Sequence, residues 1–189
     1  MYAAVQTRID VAFAVSRLAR FLTNPGPEHH KAADRVLNYL ETHKTRSLQL
    51  GGEDTFTTAS DASFADNSID WKSSQAYVMM LFGRVIGRQT NKQGTVTVST
   101  TEAELLALSQ AAREGLFISR LLNELAVRLD NHRVVIASDN KQTIRLVSAE
   151  VARLQTKLRH VDIHNHWVRQ EVQRGRINVL LFLHPYIRK

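Results

Sequence analysis

The stretch Ser99-Thr100-Thr101-Glu102-Ala103-Glu104-Leu105-Leu106-Ala107-Leu108 decides how this chain is read. It opens a helical pattern that continues to about Val127, and its two acids fall on different sides of that helix. Glu104 shares a stripe with Leu108, Ala111, Gly115, Ile118 and Leu122, an apolar row that belongs against a sheet. Glu102 shares its side with Ser109, Arg113 and Arg120, a more solvated face, although Leu106 and Phe117 lie there too. A carboxylate on the inward stripe is costly unless something compensates its charge. A capping box, with Thr101 as N-cap and Glu104 at N3, is the local alternative for Glu104. It leaves two further acids unexplained.

Those acids are Asp61 and Asp139. Asp61 ends the strand-like run Thr55-Phe56-Thr57-Thr58-Ala59-Ser60, and Asp139 closes the run Val134-Val135-Ile136-Ala137-Ser138. Each has a local alternative: Asp61 as a turn former in Ser60-Asp61-Ala62-Ser63, Asp139 as the N-cap of the helix that follows it. Ligand sites in α/β proteins gather at the carboxyl ends of strands. Acids at two strand ends and one at a sheet-facing helix start can converge on one point, where their mutual repulsion calls for divalent cations. Asp66 and Asp70, nearby, read as solvated loop acids.

Outward from these positions the organisation is legible. Val11, Val15, Leu18 and Leu22 recur at helical spacing, Asn24-Pro25-Gly26-Pro27 breaks the chain, and a second helix is expected over residues 28–43. These two helices, residues 1–47, read as an antiparallel appendage. Residues 48–189 read as an α/β domain. Strands are expected over residues 55–60, 76–81 and 85–89, the last two joined at Phe82-Gly83-Arg84, with a β-like run at 95–99. A long helix over 101–127, a strand over 133–138, helices over 142–147 and 161–174, and a last strand over 177–183 complete the pattern. An antiparallel meander leading into helix-connected strands predicts a mixed sheet flanked by helices.

Composition narrows the function classes. The 189 residues, 43% of them hydrophobic, can bury a sizeable core. The absence of cysteine excludes disulfides, thiolate metal sites and a cysteine nucleophile, and points to an intracellular setting, cytoplasm or nucleus. Residues 1–20 show no secretory h-region, and no run is apolar enough to span a bilayer, so no membrane partner is expected. A net charge of +7 favours a polyanionic partner, with basic residues concentrated over 153–176. His160 and His164 are spaced for chelation, but no third histidine shares the His160 face and Asp162 is the only acid there, so a zinc ligand set is incomplete.

Five segments together resemble the RNase H domain of Ty/copia-type retrotransposon polyproteins, preceded by the tail of their reverse transcriptase. They are Thr7-Arg8-Ile9-Asp10-Val11-Ala12-Phe13-Ala14-Val15, Ser60-Asp61-Ala62-Ser63-Phe64-Ala65-Asp66, residues 99–108, Ser138-Asp139-Asn140, and Lys157-Leu158-Arg159-His160-Val161-Asp162-Ile163. The resemblance extends to about Val179. It implies an RNase H-like fold with a five-stranded mixed sheet, and cleavage of the RNA strand of RNA–DNA hybrids with two Mg²⁺ ions, or Mn²⁺. Asp61, Glu104 and Asp139 fall on the family's first three metal-binding acids; Asp61 is implied to bridge both ions, and the other two to complete one each. Lys72, Ser73 and Ser74 are implied contacts to the nucleic-acid backbone, and residues 1–47 a remnant of the thumb or connection segment. The family's fourth acid lies in a helix after the last strand. Here no acid follows Glu171, so the expectation is a domain lacking that helix, with Asp162 as candidate substitute and a last strand whose open edge can pair two copies in a homodimer. The alternative expectation is a catalytically impaired, retrotransposon-derived domain that binds nucleic acid or protein.

Overall fold

The meander after residue 50 turns on two residues with positive φ, Phe82 at 54° and Gly83 at 70°, the backbone of a tight hairpin whose twist matches its strands. This hairpin joins β2 (Ser74–Leu81) to β3 (Arg84–Lys92), and β2 pairs antiparallel with β1 (Phe56–Ser63). The computed structural model describes residues 7–47, 51–149 and 159–182. It divides the chain into two compact units, Met1–Gln49 and Leu50–Lys189.

In the first unit a 3-10 turn, Ile9–Val11, leads into α1 (Ala12–Ala19), and α2 spans Pro27–Thr42. Pro27 occupies the first helical position, where its missing N–H costs nothing, and the Gly26 amide donates to His29 Nδ1 at 2.8 Å. Neither helix buries any of its residues.

In the second unit α3 (Thr100–Glu124) precedes β4 (Val134–Ser138), and α4 (Lys141–Ser148) and α5 (Arg159–Gln173) precede β5 (Ile177–Leu181). The strand order is β3-β2-β1-β4-β5, with β1, β4 and β5 mutually parallel. The sheet is therefore five-stranded and mixed, as expected, and helices pack on it. α3 lies against β1, β2 and β4 and also packs on α5, while α4 contacts α5 and β5. The inward stripe of α3 is as read: Leu108 and Ala111 are fully buried, Gly115 is buried, and Leu122 is 6% exposed. They meet Ile136, Val134, Val161, Val168 and Ile177 in one core. Gly115 brings α3 close, since a Cβ there would stand 2.7 Å from Val134 Cγ1.

Several expectations are corrected. Residues 95–99 form no strand; Val96 and Val98 are 43% and 68% exposed with no ladder to join, and the segment instead leads into α3. Asp61 lies within β1 rather than after it, because β2 keeps pairing as far as Ser63↔Ser74. Glu102 is not solvated, being 5% exposed with its Oε2 on the Val98 amide, and Ser109 on the same side is 1% exposed beside His164 of α5. Asp70 is held by Lys92 at 2.7 Å, and Asp66 accepts from the Ser74 hydroxyl at 2.7 Å, so neither is a merely solvated acid. β5 forms one edge of the sheet, but nothing in the structure supports the homodimer expected through it. Residues 183–189 and the first six residues of the basic segment, 153–158, lie outside the described residues.

Candidate active site

Parallel pairing sets the site. β1 and β4 run side by side in the register Thr57↔Val135, Thr58↔Ile136 and Ala59↔Ala137. Carried two residues past the last of these pairs, that register sets Asp61 against Asp139. Adjacent strands stand about 4.8 Å apart, so the two carboxylates meet at one end of the sheet. Glu104 arrives from the second turn of α3. One oxygen from each of Asp61, Glu104 and Asp139 lies within 4.8 Å of the other two. Among the described residues no other three His, Asp or Glu side chains come together this way, so His160 and His164 build no second centre and Asp162 does not join the three acids.

The local alternatives resolve in favour of neighbours. Ser99, not Thr101, caps α3: its hydroxyl accepts from the Glu102 amide at 3.2 Å, and Glu102 Oε2 accepts from the Val98 amide at 2.9 Å. Asn140, not Asp139, caps α4, its Oδ1 accepting from the amides of Gln142 at 3.0 Å and Thr143 at 2.9 Å. Both helix starts are thus satisfied without Glu104 or Asp139, whose carboxylates remain available to a ligand. The Ser99-x-x-Glu102 spacing is itself a capping signature, and it was the readable signal for this assignment.

Glu104 is 7% exposed, whereas Asp61 and Asp139 are exposed. Its Oε1 accepts from the Ala62 amide at 3.3 Å, while its Oε2 is buried without a hydrogen-bond partner. Burial, and then the charges of Asp61 and Asp139, push its pKa up to about 8, against the opposing pull of the Ala62 amide. Asp61 is also raised, first by desolvation and then by Asp139. An orphaned buried carboxylate oxygen beside two more carboxylates is a donor set for a hard divalent cation such as Mg²⁺ or Mn²⁺, and the residues present fit one.

Gln93, which carried no sequence signal, clamps this arrangement. It is 3% exposed, and its Nε2 donates to the Ala103 carbonyl at 2.8 Å and to Gln75 Oε1 at 3.0 Å, tying the first turns of α3 to the sheet. Ser73 and Ser74 are not available to a nucleic-acid backbone. Ser73 is fully buried, bonded to Thr97 Oγ1 and to the Ala65 amide, and Ser74 is committed to Asp66. His164 Nδ1 lies 2.8 Å from the buried Ser109 hydroxyl, and its pKa is lowered by burial, then by Arg113 and His160.

No family model matches the chain. The Pol polyprotein of transposon TNT 1-94 from Nicotiana tabacum is 36% identical over 181 residues, 95% of this chain and 13% of that protein. The Pol polyprotein of transposon RE1 from Arabidopsis thaliana is 32% identical over 176 residues, 92% of this chain and 12% of that protein. The chain thus spans about an eighth of the length of these curated relatives. Among solved structures, LC11-RNase H1, isolated from compost by a metagenomic approach, overlaps 68% of this chain and 84% of its own, with a TM-score of 0.48 and 12% identity. With 92–95% of the chain aligned to retrotransposon Pol proteins at 32–36% identity, the chain belongs to the Ty/copia-type retrotransposon Pol family.

Proposed function

We propose that residues 50–189 act as a divalent-cation-dependent ribonuclease H that hydrolyses the RNA strand of RNA–DNA hybrids within a Pol polyprotein. The helices of residues 1–49 are then the tail of its reverse transcriptase. The observation that carries this reading is the meeting of Asp61, Glu104 and Asp139 within 4.8 Å at one end of the sheet. Three carboxylates brought this close repel one another when ionised, and a divalent cation held between them would offset that repulsion.

Mg²⁺ or Mn²⁺ held by oxygens of Asp61, Glu104 and Asp139 would supply Lewis acidity, lowering the pKa of water and stabilising negative charge on a phosphodiester. The chain's own residues do the rest. Asp61 and Asp139, exposed on neighbouring strands, would face an incoming phosphodiester and hold the cation. Glu104 contributes its buried Oε2, while the Ala62 amide holds Oε1 and so orients the carboxylate. Gln93 ties the start of α3, and with it Glu104, to Gln75 on β2. An RNA strand is distinguished from DNA by its 2′-hydroxyls.

The test is incubation of the full chain with a labelled RNA–DNA hybrid, with Mg²⁺, with Mn²⁺ and with EDTA. RNA-strand cleavage is expected with either metal and not with EDTA, and Asp61→Asn and Asp139→Asn are expected to abolish it. No cleavage, or cleavage that survives Asp61→Asn, refutes the assignment.

A further inference from the structure

The connection between β1 and β2 leaves three large apolar side chains in solvent: Phe64 is 40% exposed, Ile69 77% and Trp71 64%. Trp71 also has φ 55°, the left-handed region that bulky residues rarely adopt. That backbone is held in place by its surroundings. The Trp71 amide donates to the Asn67 carbonyl at 2.8 Å, the Ile69 amide to Asn67 Oδ1 at 3.2 Å, and the Lys72 amide to Asp70 Oδ1 at 3.3 Å. Lys92 grips the other oxygen of Asp70, and fully buried Ser73 anchors the next residue to Ala65 and Thr97. A strained, hydrogen-bonded loop that holds an indole out in water is ordered before any ligand arrives, which reduces the entropy lost on binding.

The loop leaves the sheet at the carboxylate end. Ser63 pairs with Ser74 two residues beyond the Asp61↔Ala76 pair, about 7 Å along the strand, and Trp71 lies three residues further. We propose that Trp71 is a nucleic-acid stacking platform, its indole packing on an unpaired base next to the hybrid that occupies the three-carboxylate site. Stacking uses the π face that any unpaired base presents, so it contributes affinity without sequence preference. Lys72, partly exposed beside it, offers a cation to the adjoining phosphate, while Asp70 is already neutralised by Lys92. The choice of a nucleic-acid strand over a protein occupant rests on the ribonuclease H reading and on continuity with that site.

The experiment measures binding of a fluorescein-labelled RNA–DNA hybrid with a single-stranded RNA overhang by anisotropy, with Ca²⁺ in place of Mg²⁺, for the full chain, Trp71→Ala and Trp71→Phe. Trp71→Ala is expected to weaken binding about 5- to 150-fold, and Trp71→Phe to restore it to within a few-fold. The chain has two tryptophans, so in Trp167→Phe the indole of Trp71 reports alone, and its emission is expected to be quenched as hybrid saturates the protein. Unchanged affinity in Trp71→Ala, or unchanged Trp71 emission at saturation, overturns the proposal. Unchanged hybrid binding with loss of a dimer in sedimentation assigns the loop to self-association and likewise overturns it. A chain that cleaves hybrid but is indifferent to Trp71→Ala sinks this inference alone. A chain that binds hybrid through Trp71 without cleaving it sinks only the catalytic reading, and a chain that binds no hybrid sinks both.

Discussion

Replacing Glu104 with Gln reads the electrostatics of the site through stability, independently of activity. Glu104 is 7% exposed, and burial followed by its two acidic neighbours raises its pKa from 4.5 to about 8. Linkage sets the sign. Below pH 4.5 folded and unfolded chains both carry the proton, and Glu104 costs nothing. As pH rises, the unfolded chain loses its proton first, so stability falls until the folded pKa is passed and then levels off. At about 1.4 kcal/mol per pH unit, the interval up to pH 7 is worth about 3 kcal/mol and the whole interval about 5 kcal/mol. Gln keeps the shape and can accept from the Ala62 amide, but it carries no charge to desolvate. In EDTA, Glu104→Gln is therefore expected to be about 2–3 kcal/mol more stable than the native chain at pH 7, and within about 1 kcal/mol of it at pH 5. Urea denaturation at pH 5, 7 and 8.5 measures this. Saturating Mg²⁺ is expected to stabilise the native chain more than the variant, because only the native chain presents the third charge. Parallel stability curves for the two proteins from pH 5 to 8.5, or a variant less stable at pH 8.5, would refute the reasoning.

Two further outcomes follow from packing. Gly115→Ala places a methyl 2.7 Å from Val134 Cγ1 and 3.5 Å from Thr58 Oγ1, and is expected to cost about 1–3 kcal/mol in thermal or chemical denaturation by forcing α3 off the sheet. Gln93→Leu removes the donor to the Ala103 carbonyl; kcat for hybrid cleavage is expected to fall about 10- to 100-fold with KM little changed, because Glu104 is displaced while the substrate-binding surface is not.

The three acids that meet at the candidate site were legible because hydrophobic period is a local property. The stripe from Glu104 to Leu122 identified the inward face of α3, and the β-branched run before Asp139 marked β4. The strand–helix order and the Phe82-Gly83 turn were readable for the same reason. Local pattern failed where a partner decides. Residues 95–99 have strand-like composition, yet no neighbouring strand offers them a ladder. Glu102 sits on a side that looked solvated, yet the segment before α3 folds onto it through the Val98 amide. Ser73 and Ser74 looked free to meet a ligand until the loop folded back on Thr97 and Asp66.

By itself, then, the sequence determined which elements form and which three acids stand near their ends, since both follow from spacing along the chain. Only the tertiary structure decided that those acids are available and that they meet. Ser99 with Glu102, and Asn140, take the capping roles that Thr101 with Glu104, and Asp139, could have filled, and the parallel register of β1 on β4 sets Asp61 opposite Asp139. Capping is a competition among neighbours for the same amide groups, and register is a choice among pairings of distant strands. Each is resolved by packing the whole sheet against α3, which no short window of sequence contains.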